Sequence, residues 1–156
     1  MANPRKSNDF TRVDEKPLGP PLIGALLRMP WETVRRRMLE RLHEHGFDDL
    51  DAPHLNVLLY PGPQGSRPSE LAARLGMSKQ AVNYQLGQLE RLGYLVREPD
   101  PDDQRSRRIG LTERGFAVIP VIRAAVVEVE GVWTRELGAE KFGTIRALLV
   151  ELNERL

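Results

Sequence analysis

The sequence predicts a mainly α-helical chain carrying one small β-wing, on three observations. Apolar residues recur at helical spacing over most of the 156 residues. Two short helical segments meet at a tight turn around Gly76 to Ser78. Directly after them, YLVRE and RRIGL read as strands flanking the polar, turn-rich PDPDDQRS. Helix, turn, helix and charged hairpin in that order spell a winged helix-turn-helix, with further helices before and after it.

Residues 1–17 are polar, of mixed charge and interrupted by Pro4 and Pro17, the pattern of a flexible tail. From Pro20 to His45 the residues Leu22, Ile23, Leu26, Leu27, Trp31, Val34, Met38 and Leu42 keep helical spacing, as one long helix or two. Pro30 removes one backbone bond and crowds the preceding turn, so a kink near Arg28 to Pro30 is expected, or a restart at Pro30. Gly46 closes this segment, and Asp51 or Pro53 opens a short helix reaching Tyr60. PGPQGSRP is a loop, and Ser69 is the expected cap of the next helix, with Leu71, Ala72 and Leu75 on its inner face. Ser78 caps the following helix, which turns Val82, Leu86 and Leu89 to the core and most of Lys79, Gln80, Asn83 and Gln88 elsewhere. Gly93 ends it.

After the wing, Thr112 caps a helix whose apolar residues, from Phe116 to Trp133, cover more than one face. A last helix from Ala139 carries Phe142, Ile145, Leu148, Leu149 and Leu152. So much apolar surface exceeds what a chain of this size buries by itself, which points to a second subunit. The organisation expected is a tail at 1–17 and a single domain at 18–156. Within that domain, a winged lobe at 50–112 is flanked by assembly helices at 18–46 and 113–156.

Composition narrows the chemistry. There is no cysteine, which excludes disulfides, thiol nucleophiles and cysteine-ligated zinc. His43 and His45 lie two apart on a helix and diverge, so with His54 they make no metal set, and no metal is expected. No phosphate-binding glycine loop or catalytic constellation is legible, and neither enzyme activity nor a cofactor is expected. The greasiest stretch, Phe116 to Val129, is broken by Pro120, Arg123 and Glu128, and the first residues lack the apolar core of a secretion signal. A cytoplasmic protein without a membrane partner is the expectation. The net charge of +1 decides nothing about nucleic acid, but arginines cluster locally at 35–37 and at 105–108. The first cluster reads as a solvated face or a set of ion pairs.

The string ELAARLGMSKQAVNYQLGQLERLGYLVREPDPDDQRSRRIGLTERG resembles the multiple-antibiotic-resistance regulator (MarR) family of bacterial transcription factors. The leucines of both helices, LERLGYLVRE, the DPDDQRS wing and the closing LTERG fall in family order. The resemblance implies a homodimer joined through its terminal helices, each protomer placing one recognition helix in a major groove of double-stranded DNA. Ser78, Lys79, Gln80, Asn83 and Tyr84 then fall on the first turns of that helix, where Gln and Asn suit adenine, Lys guanine or phosphate, and Ser phosphate. Arg105 is implied in the minor groove, with Arg107 and Arg108 on phosphates, while Asp103 shapes the wing by pairing with an arginine. Tyr84 and Gln85 depart from the family pattern, where many members carry arginine and an apolar residue.

Trp31, Met38, Tyr60 and Trp133 are core candidates. The resemblance also implies a pocket between the dimer helices and the lobe for a small aromatic or amphipathic effector, with Arg28, Trp31, Arg35, His54 and Tyr60 as candidate lining. The expected function is a ligand-responsive repressor on a pseudo-palindromic operator. The alternative is a winged-helix protein-interaction module without operator binding.

Overall fold

The computed structural model describes residues 19–59, 65–103 and 105–155, so the expected tail at 1–17 lies outside it. Among the described residues, six helices and one two-stranded sheet follow in order: α1 Ile23–Glu44, α2 Ala52–Leu58, α3 Pro68–Leu75, α4 Lys79–Arg91, β1 Leu95–Pro99, β2 Arg107–Leu111, α5 Glu113–Leu137 and α6 Ala139–Asn153. Among the described residues, no helix is long and apolar enough to cross a membrane.

α1 runs unbroken through Pro30, so the helix does not restart there. One lost hydrogen bond is tolerated because the later turns are held from outside: Met38 and Leu42, four residues apart, are buried. α1 packs along α5, whose buried positions Val118, Ile122, Ala125 and Val129 repeat every three or four residues. Ion pairs fasten the rim of this contact. The Arg37 guanidinium lies 2.7 Å from Glu128 and 3.2 Å from Glu40, and Arg41 reaches Glu128 at 3.3 Å. The early arginine cluster is therefore an ion-paired face, since Arg35 and Arg36 also pair within α1, with Glu32 and Glu40.

α2 begins at the Asp51 cap, where His54 Nδ1 accepts the Asp51 backbone N–H at 3.0 Å. It ends at Leu58, short of the expected Tyr60. α3 departs from expectation at its start. The cap is Arg67 with Pro68 as the first helical residue, and the Glu70 carboxylate accepts the Arg67 N–H at 2.9 Å. Ser69 lies inside the helix, because a proline suits the first helical position better than a serine one residue later suits the cap. Gly76 turns the chain from α3 to α4 with φ +60°, a left-handed conformation natural to glycine. Ser78 Oγ accepts the Ala81 N–H at 3.1 Å, and Thr112 Oγ1 the Gly115 N–H at 3.1 Å, both as their spacing predicts.

β1 and β2 pair antiparallel with Arg97 opposite Ile109. A feature absent from the sequence reading extends the wing. Ser66 forms a bridge on the other side of β2, exchanging bonds with Ile109 at 3.0 and 2.9 Å. This puts β2 between two neighbours and ties the loop before α3 to the sheet. Val82, Leu86 and Leu89 of α4 join Leu55, Leu71, Tyr94 and Ile109 in the sealed core of the lobe. Gly115 sits against the backbone just before β1, where any Cβ would run into the Tyr94 carbonyl oxygen.

Candidate nucleic-acid interface

α4 projects from the lobe with Lys79, Gln80, Asn83 and Tyr84 exposed along its first two turns. Beside this end of α4 stands the base of the wing, and between them opens a cleft of about 250 Å³. Its walls include Arg67, Ser69, Lys79, Asn83, Ser106 and Arg107. Three cations and two hydroxyls therefore converge where α3, α4 and the wing meet, an arrangement suited to an anionic backbone.

Arg67 and Ser69 were not among the sequence-derived candidates. A signal was present in Arg67 all the same. A cation at the start of a helix faces the positive end of the helix dipole, so it needs a separate reason to be there. The structure supplies one in Asp100, whose buried carboxylate lies 2.6 Å from Arg67 Nε and 3.6 Å from Arg108 Nε, and accepts the Asp102 N–H at 2.9 Å. The bond from Arg67, followed by the backbone bond, holds the Asp100 carboxyl at about 2, well below the usual carboxylate value. Asp100 thus pins α3 to the wing.

The arginine pairing expected of Asp103 belongs to Asp100 instead. Asp103 closes the wing tip by itself, its Oδ1 accepting the Arg105 N–H at 3.0 Å and its Oδ2 the Ser106 hydroxyl at 2.8 Å. A short carboxylate two residues before a backbone N–H meets it without help from a long side chain, and the two bonds lower the Asp103 pKa. Arg105 is left exposed at the tip and Arg107 exposed on the cleft wall. Arg108 is turned inward, half-buried against Asp100 and Asp102, and so serves the wing itself rather than pointing outward with its neighbours.

On α4, Ser78 gives its oxygen lone pair to the cap and keeps its proton to donate. Asn83 is turned back along the helix, its Nδ2 donating to Lys79 O at 2.9 Å while Oδ1 accepts from Arg97 at 3.4 Å. The two-bond adenine pose requires it to leave both partners. Tyr84 Oη accepts from Gln88 Nε2 at 3.1 Å.

The candidate effector residues do not assemble as a group. A cavity of about 380 Å³ between α1 and α2 is lined by Arg35 together with Glu32, Arg36, Leu39 and His43. Arg28 and Trp31 stand exposed elsewhere on α1, so Trp31 is not a core residue, whereas Met38 is. Trp133 packs on Phe142 with ring centres 6.3 Å apart. His54 is buried beneath α4, with one ring nitrogen on Asp51 and the other 3.3 Å from Gln88. Tyr60 lies outside the described residues. His43 and His45 each spend a ring nitrogen on a backbone carbonyl, of Leu50 and Arg41, and no group of three potential metal ligands occurs among the described residues.

A model of the MarR family matches residues 48–106, from α2 through the wing tip. The HTH-type transcriptional regulator YkoM of Bacillus subtilis, itself uncharacterized, is 35% identical over 85 residues, covering 54% of this chain and 54% of that protein. The HTH-type transcriptional regulator PecS of Dickeya dadantii is 32% identical over 94 residues, covering 60% of this chain and 57% of that protein. The match thus spans a little over half the length of these curated relatives. In three dimensions the likeness reaches further. The apo crystal structure of MarR from E. coli superposes with a TM-score of 0.69 at 25% identity, covering 86% of this chain and 98% of that one.

Proposed function

From a chain whose residues 48–106 match a model of the MarR family, we propose a sequence-specific DNA-binding transcriptional regulator of that family that acts as a homodimer. The observation that carries this reading is the cleft where Arg67, Lys79 and Arg107 converge at the start of α4. A helix fits a major groove, and a cationic cleft at its N-terminal end, beside a wing tipped by Arg105, meets the flanking phosphates and the narrow minor groove. Ser78, Lys79, Gln80, Asn83 and Tyr84 supply the groove-facing chemistry, while Asp103 and Asp100 hold the wing that presents Arg105 and Arg107.

Dimerisation is supported by the apolar surface at both ends of the chain. Leu22, Ile23 and Leu26 of the α1 region and Leu148, Val150 and Leu152 of α6 are all at least 47% exposed. Two recognition helices held by such an interface suit half-sites about 34 Å apart on a pseudo-palindromic operator. Regulation by repression, relieved by a small aromatic or amphipathic effector, fits the cavity between α1 and α2. A ligand there that prefers a different separation of the lobes weakens operator binding by the same coupling factor. Such action is binding rather than catalysis, and it locates the protein with the DNA in the cytoplasm.

Selection of bound duplexes from a random pool, followed by titration in rising salt, tests this. A two-fold symmetric motif and a steep loss of affinity with salt are expected. Binding to no duplex, or salt-insensitive binding, is the result that favours a protein-interaction module. Arg105→Ala is expected to weaken specific binding by about 1–3 kcal/mol. Unchanged affinity removes the wing tip from the interface.

A further inference from the structure

A chain of three hydrogen bonds runs from the start of α2, through the buried His54, to the exposed face of α4, and each link fixes the direction of the next. The Asp51 backbone N–H can only donate, so His54 Nδ1 is its acceptor, at 3.0 Å. A neutral imidazole has one donor and one acceptor nitrogen, which puts the ring proton on Nε2. Nε2 then donates to Gln88 Oε1 at 3.3 Å, which fixes the orientation of the amide. Its other end, Nε2, donates to Tyr84 Oη at 3.1 Å. Tyr84 and Gln88 are four apart and share one face of α4, whereas His54 reaches Gln88 from beneath at 5% exposure. With a lone pair of Oη occupied by Gln88, the phenolic proton points away from the amide, on a side chain that is 63% exposed.

We propose that Tyr84 meets DNA as a hydrogen-bond donor, its polarity imposed by Gln88 and His54 as positioning residues, so that it selects a keto base over an amino base. At the exocyclic group of the major-groove edge guanine O6 and thymine O4 accept, whereas cytosine N4 and adenine N6 donate, so the rule holds where Tyr84 reaches that group rather than purine N7, an acceptor in both adenine and guanine. A tyrosine free to rotate its hydroxyl serves either class equally. One whose oxygen is already engaged by Gln88 favours the acceptor. The inference rests on the DNA-binding reading above and adds a rule for one position in each half-site.

Duplex selection with the full-length wild type, Tyr84→Phe and Gln88→Glu tests it. The wild type is expected to show one position per half-site enriched in guanine or thymine by about tenfold, and Tyr84→Phe to lose that enrichment. In Gln88→Glu the carboxylate accepts from both His54 and Tyr84 and turns the phenolic oxygen into an acceptor. The preference at the same position is then expected to move to cytosine or adenine, whatever the overall affinity. An unchanged motif in Tyr84→Phe, a uniform loss without change of motif, or a keto preference retained in Gln88→Glu each overturns the inference while leaving the regulator reading intact. A wild type that selects no duplex defeats the regulator reading and this one with it. Nitrogen NMR of the His54 ring in the free protein gives a second readout. A proton on Nε2 is expected, and one on Nδ1 overturns the proposal without any DNA being present.

Discussion

Leu71, Leu86, Leu89 and Ile109 in the winged lobe are exposed by no more than 1%, whereas Leu148, Leu149, Val150 and Leu152 of α6 stand 37–59% open. α6 is the more apolar of the two and yet the less covered. In the lobe, three short helices and a sheet enclose one another, and the buried His54 beneath α4 and Asp100 inside the wing base are both partnered. α6 packs on α5 through Phe142 against Trp133, with Arg146 paired to Glu130, and leaves most of its leucines uncovered. The lobe is thus a closed unit that presents a polar surface outward, whereas α6 and the start of α1 leave their apolar residues uncovered. α5 joins them, its first part buried against α1 and its later Val127, Val132 and Leu137 exposed.

The largest effect expected from this contrast follows from charging α6. Leu148→Glu combined with Leu152→Glu should convert a dimer into a monomer by light scattering, and duplex affinity should fall by about 100-fold or more as the second half-site loses its tether. The lobe should keep its secondary structure. A dimer that survives the two charges places the interface elsewhere and breaks the comparison.

Truncations of a single side chain sharpen it. Leu86→Ala removes a sealed lobe residue and should cost about 2–5 kcal/mol in urea unfolding. Leu148→Ala on α6, measured where the protein is monomeric, should change stability by no more than about 0.5 kcal/mol, because an exposed leucine has little packing to lose. Equal costs at the two sites would mean that α6 is covered within its own chain.

Local rules made the closed unit legible in the sequence and left its joints hidden. Ser78 and Thr112 cap helices where serine and threonine precede apolar periodicity, and RRIGL is β2 residue for residue. The start of α3 was misplaced because Ser69 satisfies a capping rule that Pro68 overrides one residue earlier. The long-range contacts had no local signature. Ser66 joins Ile109 across 43 positions, Arg67 finds Asp100 across 33, and His54 meets Gln88 across 34. Each depends on which elements the fold brings together, and Asp103 drew the arginine assignment because it lies in a family motif while Asp100 does the pairing. The apolar excess of the terminal helices was legible as excess, since composition shows it without any knowledge of geometry.

The smallest effect concerns a single contact inside the lobe. Asp100 holds Arg67 against the wing, and its carboxyl titrates near 2 in the folded protein against 3.8 for an ordinary aspartate. The unfolded chain therefore takes up this proton at higher pH than the folded one does. The stability that the pair contributes is complete above about pH 4, declines as the pH falls toward 2, and is gone below that. Asp100→Asn lacks the contribution at every pH, so its deficit against wild type in urea unfolding should be greatest near neutrality and shrink between pH 4 and 2. The effect is modest because both arginines are partly open to water, which screens them. A deficit that does not change with pH would mean that the aspartate serves the wing by shape rather than by charge. The same variant should loosen Arg67 in the cleft and weaken every duplex alike, without altering the motif, because a phosphate contact carries no sequence. Loss of dimerisation in Asp100→Asn would join the two regions that the burial pattern separates.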